Sequence, residues 1–588
     1  MDARGWAYLD FLFITGDAYV DHPSFAAAII GRVLEHNGFR VGIVPQPDWR
    51  RADDFLVMGR PCLGVLVGAG NLDSMLGKLT SSRKARRTDA YSPNGAVGRR
   101  PDRATIVYCQ KVREIWGDIP IIIGGVEAGL RRFAHYDYWS DSVRRSILLD
   151  SQADLLVYGM GERQITETAI LLRNSQPLFG IRGTCVVKKD EDPFSFPSPC
   201  IELPAWDRVA HDKGAFAEMF KIIAREQDPI RGRSLVQRYG QWRRTLIQYP
   251  PAAPLSEAEM DEVYDLPYAR TAHPMYGARN ENIPALEEVR WSVVSHRGCF
   301  GGCAFCAISE HQGRVVQARS RGSILREVEA MTRTMGFKGY VHDIGGPTAN
   351  FRHLSCREQL FRGLCPNKNC LFPKPCPSLD ASHEDYIALL KAARSIKGVK
   401  KVFVRSGIRY DYVLADGERG MEFLRELCQY HVSGQLKVAP EHAAPSVLRL
   451  MRKGAIDLYR RFAQLYRETN EALGIKKQYL VPYFMTSHPG CGLNEAVNLA
   501  MFAAELSFCP EQAQDFIPTP GSLSTCMYYT GIDPFTGESV YVPRSDAERR
   551  EQRALLQHRL PRNRKAALTA LKKAGLGGSG LARSLANN

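Results

Sequence analysis

No run of apolar residues in these 588 positions approaches the ~20 that span a bilayer, which excludes a transmembrane helix. The opening MDARGWAYLD lacks the basic-then-apolar layout of an export signal, so the expectation is a cytoplasmic protein with no membrane partner. Positive charge is in excess, at a net +15. Two stretches concentrate it: Arg83, Lys84, Arg86, Arg87, Arg99, Arg100 and Arg103, and the tail beyond Arg544. Neither interleaves rings with its cations, so neither offers a stacking platform for single-stranded nucleic acid. They read as a solvated loop and a solvated helix. With no export signal, the fifteen cysteines do not suggest a disulfide framework. Reduced thiols and metal ligation fit better, and seven of the fifteen fall between Cys299 and Cys376.

The chain is too long for one core, and 44% hydrophobic with 24% charged residues is ordinary for a folded protein. Residues 1–175 alternate apolar runs at 10–15, 39–44, 63–67, 119–123 and 154–158 with helical patterns at 23–37, 104–116 and 161–174. That alternation predicts an α/β domain with a doubly wound parallel sheet. Its strand ends carry ITGDAYVDHPSF, LVGAGNLDS, IIGGVEA and VYGMGE, rich in the small residues that a ligand crevice needs. Residues 176–285, punctuated by proline, are expected to be a connector with helical pieces. Residues 286–530 repeat the alternation, with strands at 291–294, 339–344, 401–405, 434–439, 478–484 and 514–517. Helices are expected at 323–335, 383–396, 419–430, 443–473 and 494–507. Six βα units predict a partial parallel barrel whose site lies at the carboxyl ends of its strands. Residues 531–588 read as a basic extension, helical over 547–574 and without structure at its end.

The segment WSVVSHRGCFGGCAFCAI spaces Cys299, Cys303 and Cys306 as C-x3-C-x2-C after a short apolar strand. Gly298, Gly301 and Gly302 let the loop wrap tightly. Three thiolates hold three corners of a [4Fe-4S] cubane, where a full set would close it. The fourth iron then stays open to chelate a small molecule, as an open position does in catalytic zinc. The spacing resembles that of radical S-adenosylmethionine (SAM) enzymes. In that family an aromatic such as Phe305 precedes the third cysteine and lies beside the adenine.

Other polar groups follow strands. Gly345 and Gly346, before Pro347 and Thr348, stand where the family's glycine turn holds the methionine amine through backbone carbonyls, with Pro347 a departure from its usual Gly-Gly-Glu. Ser406 can bond ribose hydroxyls or a carboxylate, and Arg409 can clamp a carboxylate. Lys437, Glu441 and His442 end another strand, and the turns at 487–491 and 518–522 are candidates for the substrate mouth. A second set, Cys356, Cys365, Cys370 and Cys376, sits in a proline-rich insertion over 351–380. It could hold a structural zinc or an auxiliary iron–sulfur cluster, although its spacing matches no standard finger.

Taken together, TGDAYVDHPSFAAAIIGRVLE, RGCFGGCAFCAI, HQGR, GGPTAN, VRSGIRYD, KVAPEH and LVPYFMTSHPG resemble the YgiQ family of radical SAM proteins over nearly the whole chain. The resemblance implies a [4Fe-4S] cluster on Cys299, Cys303 and Cys306, and SAM as cofactor. It implies reductive cleavage of SAM to a 5′-deoxyadenosyl radical that abstracts hydrogen from an unknown substrate, with flavodoxin or ferredoxin as a suitable reductant. The first 175 residues resemble a cobalamin-binding-like, flavodoxin-like domain. Their Asp21-His22-Pro23-Ser24 departs from the Asp-x-His-x-x-Gly of histidine-ligated cobalamin, so the expectation is against cobalamin. The rival readings are an RNA-modifying enzyme of methylthiotransferase type and a non-catalytic iron–sulfur redox or sensor protein. Nucleic acid is not the favoured partner, because no small β-barrel RNA-binding module follows the barrel.

Overall fold

The computed structural model describes all residues except 2–3, 192–195, 367, 507–509, 511–512 and 588. The chain forms two compact units. The first comprises Met1–Gly298, Glu310–Thr334 and Arg357–Leu364, and the second Cys299–Ser309, Met335–Cys356 and Cys365–Asn588. No helix among the described residues is long and apolar enough to cross a membrane.

In the first unit, β1 (Phe11–Thr15), β2 (Val41–Pro45), β3 (Gly64–Gly68), β4 (Ile121–Gly124) and β5 (Leu155–Val157) are parallel. Their spatial order is β2-β1-β3-β4-β5, the flavodoxin-like winding with its switch point between β1 and β3. β1 reads FLFIT and is buried throughout, as a strand covered on both faces must be. Helix α1 (Ala26–His36) buries Ala27, Ala28, Ile29, Val33 and Leu34. It stops ahead of Gly38, whose φ of +81° suits a residue with no Cβ. Helices α2 (Ala104–Trp116) and α3 (Glu162–Arg173) complete the alternation.

The connector expected over 176–285 has its helical pieces, among them Lys213–Glu226 and Glu257–Tyr264, but it also contributes strands to the sheet. β6 (Thr184–Lys189), β7 (Cys200–Glu202), β8 (Ser234–Tyr239) and β9 (Arg244–Gln248) extend the sheet beyond β5 to nine strands, in the order β5-β6-β9-β8-β7. Val186, Val236 and Ile247 join the same core as Phe11, Leu66 and Leu155. Alternation did not reveal these strands because buried polar residues interrupt them. Gln248 accepts from Arg132 Nε at 2.6 Å, and Gln237 accepts from the Ala134 amide at 3.0 Å. Gln237 also donates to the Pro204 carbonyl at 3.1 Å, so its burial costs little, whereas Gln248 Nε2 is buried without a partner.

The second unit carries β10 (Tyr340–Val341), β11 (Asp343–Gly345), β12 (Lys401–Val402), β13 (Gln435–Glu441), β14 (Tyr479–Thr486) and β15 (Gln514–Asp515). β10 runs parallel to β12, a bridge joins Ile408 to Val438 of β13, and β13, β14 and β15 are parallel in sequence. Helices α4 (Glu384–Arg394), α5 (Ile456–Ala472) and α6 (Leu493–Glu505) lie between the strands. The helix expected at 494–507 is α6, and residue 507 lies outside those described.

The C-terminal extension departs from expectation twice. The single helix is broken at Pro561 into α7 (Asp546–Leu556) and α8 (Pro561–Lys573), because proline suits the first turn of a helix and not its interior. The end is not without structure: α9 (Gly580–Asn587) is helical and buries Ala582.

Candidate active site

The cysteine loop is shaped by what its glycines leave out. A Cβ on Gly301 would stand 2.5 Å from Arg409 Nη1 and 3.3 Å from Cys299 Sγ. Gly302 has a φ of +60°, and its carbonyl accepts from Asn369 Nδ2 at 2.9 Å. Ala304 is pinned by backbone bonds to Met451 and Ser524. The sulfurs then meet specific polar partners. Cys299 Sγ lies 3.5 Å from Thr348 Oγ1, and Arg409 Nη1 lies 3.6 Å from Cys303 Sγ.

Burial pushes the Cys299 thiol up, and burial with the charge of Cys303 and Cys299 pushes Cys306 up to about 12. A bound cation would lower both thiols again. No three His, Cys, Asp or Glu side chains among the described residues converge as a single-ion site. A cubane does not need convergence, because each thiolate ligates its own iron.

The same observation bears differently on Cys356, Cys365, Cys370 and Cys376. A zinc ion would require all four to converge, and they do not. Cys370 donates to Ser355 Oγ at 3.3 Å, and its carbonyl accepts from the Cys376 amide at 2.8 Å. The insertion reaches the site by another route, through Asn369 on Gly302.

Gly345 and Ser406 are brought together, as a glycine turn and a polar strand end should be. A Cβ on Gly345 would stand 2.6 Å from Ser406 Oγ. Asp343 organises this corner, accepting the Ser406 hydroxyl and, at 2.8 Å, the Arg405 amide. Its carboxyl is pushed up by burial. Gly346 and Pro347 follow half-buried. Asn350, from GGPTAN, then zips this turn to the next one. Its Oδ1 accepts from the Arg409 amide at 2.9 Å, and its Nδ2 donates to the Arg409 carbonyl at 3.2 Å.

Arg409 does not present a free fork to a cofactor carboxylate. Nε and Nη2 already donate to the two oxygens of Asp411, at 2.8 and 2.7 Å, in a buried bidentate pair. Only its Nη1 edge remains, and it faces Cys303. Asp343, Thr348, Asn350, Asn369 and Asp411 escaped the sequence reading. The signal was present for most of them as polar residues crowded into GGPTAN and VRSGIRYD.

Phe305 packs edge-on to His488, with centroids 6.2 Å apart. His488 and His442 are fully buried, and burial drives both down to about 3. His442 Nε2 lies 3.4 Å from Cys491 Sγ. Glu441 is buried at the end of β13, whereas Lys437, expected beside it, is exposed along the strand.

In the first unit the carboxyl ends of β1, β3, β4 and β5 open on a crevice of about 940 Å³, open solvent at its mouth included. Its walls are mostly apolar, with Phe13, Ala27, Ile30, Leu66, Ile122 and Ile165, and its rim carries Gly70, Gly125, Gly159 and Gly161. Asp17 and Glu162 are held by Arg100 and Arg297, but Nδ1 of His311, which also lines the space, is buried without a partner. His22 is elsewhere: its Nδ1 accepts from the Ser24 amide at 3.1 Å and its Nε2 meets Arg270 at 3.0 Å.

The Radical SAM superfamily profile matches residues 293–501, the Radical SAM N-terminal profile residues 1–292, and a domain of unknown function, DUF3362, residues 511–580. The chain is a radical SAM enzyme whose substrate these matches do not define. It is 54% identical over 569 residues to a UPF0313 protein of Clostridium botulinum (strain 657), covering 96% of this chain and 88% of that one. A UPF0313 protein of Clostridium perfringens (strain 13) is 51% identical over 578 residues, covering 98% and 86%. The chain belongs to the UPF0313, or YgiQ, family.

Its fold is similar to that of the radical SAM methyltransferase TsrM of Kitasatospora setae, solved with cobalamin and a [4Fe-4S] cluster bound. The TM-score is 0.50 at 12% identity, over 96% of this chain and 89% of that one. This corrects the expectation against cobalamin. The missing Asp-x-His-x-x-Gly speaks only to one mode of axial ligation, and a fold of this kind occurs with cobalamin bound.

Proposed function

We propose that Cys299, Cys303 and Cys306 each ligate one iron of a [4Fe-4S] cluster, and that SAM is seated between this loop and the Gly345–Gly346 turn. The observation that carries the reading is the convergence of the cysteine loop with Arg409, Asn350 and Thr348, beside the Asp343–Ser406 corner that leaves no room for a side chain at Gly345. The cluster supplies the electron that cleaves SAM to a 5′-deoxyadenosyl radical.

The chain's own residues do the positioning. Ser406 is oriented by Asp343, and Gly345 keeps backbone carbonyls open to an ammonium group. Phe305 offers a ring edge beside His488, and Thr348 and Arg409 point hydrogens at sulfur. The parallel strands of the second unit fit a partial (βα)6 barrel, with these groups at its carboxyl ends. A low-potential flavodoxin or ferredoxin is a suitable reductant.

The glycine-rimmed crevice of the first unit is read as a corrinoid site, its apolar walls taking the cofactor's flat apolar surface. Anaerobic reconstitution of the triple Cys299→Ala/Cys303→Ala/Cys306→Ala variant tests the cluster. The expected result is loss of the brown chromophore and of about four irons per chain. The same iron-to-protein ratio and spectrum as wild type would remove the assignment.

A further inference from the structure

Four segments of the second unit, 335–342, 396–405, 433–440 and 475–484, together hold seven lysines, one arginine and no aspartate or glutamate. They lie far apart in the chain, yet each contains the start of a strand: β10, β12, β13 and β14. Pairing joins them two by two, with Tyr340 opposite Lys401 in one pair and Gln435 opposite Tyr479 and Lys437 opposite Val481 in the other, and a bridge from Ile408 to Val438 links the two.

Alternation then sorts the side chains. Val341, Val402, Val404, Leu436, Val438 and Pro482 are buried. The opposite face is open, with Tyr340 41%, Tyr479 62% and Tyr483 43% exposed, alongside exposed Lys401, Arg405 and Lys437. Tyr340 and Phe403 are stacked, with centroids 6.4 Å apart and planes 9° apart. Lys400 Nζ lies 5.9 Å from the Tyr340 ring, and Arg405 Cζ 5.7 Å from that of Phe403.

We propose that this face binds a single-stranded nucleic acid, with bases stacked on Tyr340, Phe403, Tyr479 and Tyr483 and phosphates held by the lysines between them. Exposed rings scattered singly need no partner. Rings interleaved with cations, on segments that hold no aspartate or glutamate, are what a base-and-phosphate polymer uses. Lysines alone would also suit an acidic redox protein. The rings decide between the two, because Tyr340, Tyr479 and Tyr483 are exposed and offer stacking surfaces that a purely acidic partner leaves unused.

The test is fluorescence anisotropy of the cluster-reconstituted full chain with labelled single-stranded RNA of about 20 nucleotides, long enough for several stacking sites. DNA of the same sequence and the RNA duplex are run beside it, each over a range of salt. Single strands should bind more tightly than duplex, and the RNA and DNA arms identify the sugar recognised.

Tyr479→Ala and Tyr483→Ala should each weaken binding about fivefold or more with the salt slope unchanged. Lys401→Gln and Lys477→Gln should each reduce the slope by about 0.7. All four variants should keep wild-type iron content and substrate-free release of 5′-deoxyadenosine. Loss of those two properties in the wild type would count against the cofactor reading and not against this one. The proposal is overturned if neither single strand binds, if duplex is preferred, or if the tyrosine variants bind as wild type. Capture of flavodoxin by this face with no binding of either single strand would also overturn it.

Discussion

The Nη1 edge of Arg409 stands 3.6 Å from the sulfur of Cys303 while its other edge is locked onto Asp411. A charged N–H aimed at a thiolate favours the more negative, reduced state of whatever that thiolate ligates. Arg409→Gln should therefore lower the midpoint potential of the reconstituted cluster, read by electron paramagnetic resonance during a redox titration. The same change strands Asp411 as an unpaired buried charge, so the fold should lose about 3–5 kcal/mol. Adding Asp411→Asn should restore much of that stability and leave the potential low. A potential unchanged in both variants would show that Arg409 has no influence on the cluster.

Gly345 separates cofactor from metal. Its missing side chain leaves room for Ser406, whose Oγ a Cβ would approach to 2.6 Å. Gly345→Val should weaken SAM binding by tenfold or more, on the order of the 1.4 kcal/mol or above that misplacing one polar contact costs. Iron content should stay at the wild-type level. Calorimetry with SAM, set against iron analysis of the same sample, checks both halves.

The two buried histidines set an acid limit. His442 and His488 have folded values near 3 against an unfolded value near 6.5, so below about pH 6.5 the unfolded chain binds protons that the folded chain does not. Their contribution is complete above pH 6.5 and is lost progressively as pH falls toward 3. Denaturant midpoints of the wild type should fall over that window. His488→Gln should show a shallower decline, since one of the two titrating groups is gone.

The crevice makes a prediction of its own. Ala26 is exposed and lines it, so Ala26→Trp should block a corrinoid without disturbing the core. Cells supplied with cobalamin and opened without oxygen should yield wild-type protein with corrinoid absorbance, and Ala26→Trp protein without it. His22→Ala should keep the absorbance, because both ring nitrogens of His22 are already engaged inside the fold. Corrinoid lost on changing His22 would reverse that assignment.

What could be read in the sequence followed the strength of local pattern. β1, β3 and β4 are unbroken apolar runs covered on both faces, and C-x3-C-x2-C is compressed into eight consecutive residues. The strands β8 and β9 were not legible, since Gln237 and Gln248 sit buried within them and only their distant partners explain it. Arg409 was recognisable as a residue of the site but not in its role, because Asp411 claims the fork that a cofactor carboxylate would use. The aromatic and basic face was invisible for a different reason. No segment contributes more than two of the four rings or more than three lysines, and strand pairing gathers them.

The central claim is that the cysteine loop and the Gly345 corner together make SAM cleavable by one electron. Anaerobically reconstituted protein, reduced with dithionite and given SAM, should release 5′-deoxyadenosine and methionine in equal amounts, slowly even without substrate. The triple cysteine variant should release neither. Cluster-replete protein that neither binds SAM nor yields 5′-deoxyadenosine would contradict the account.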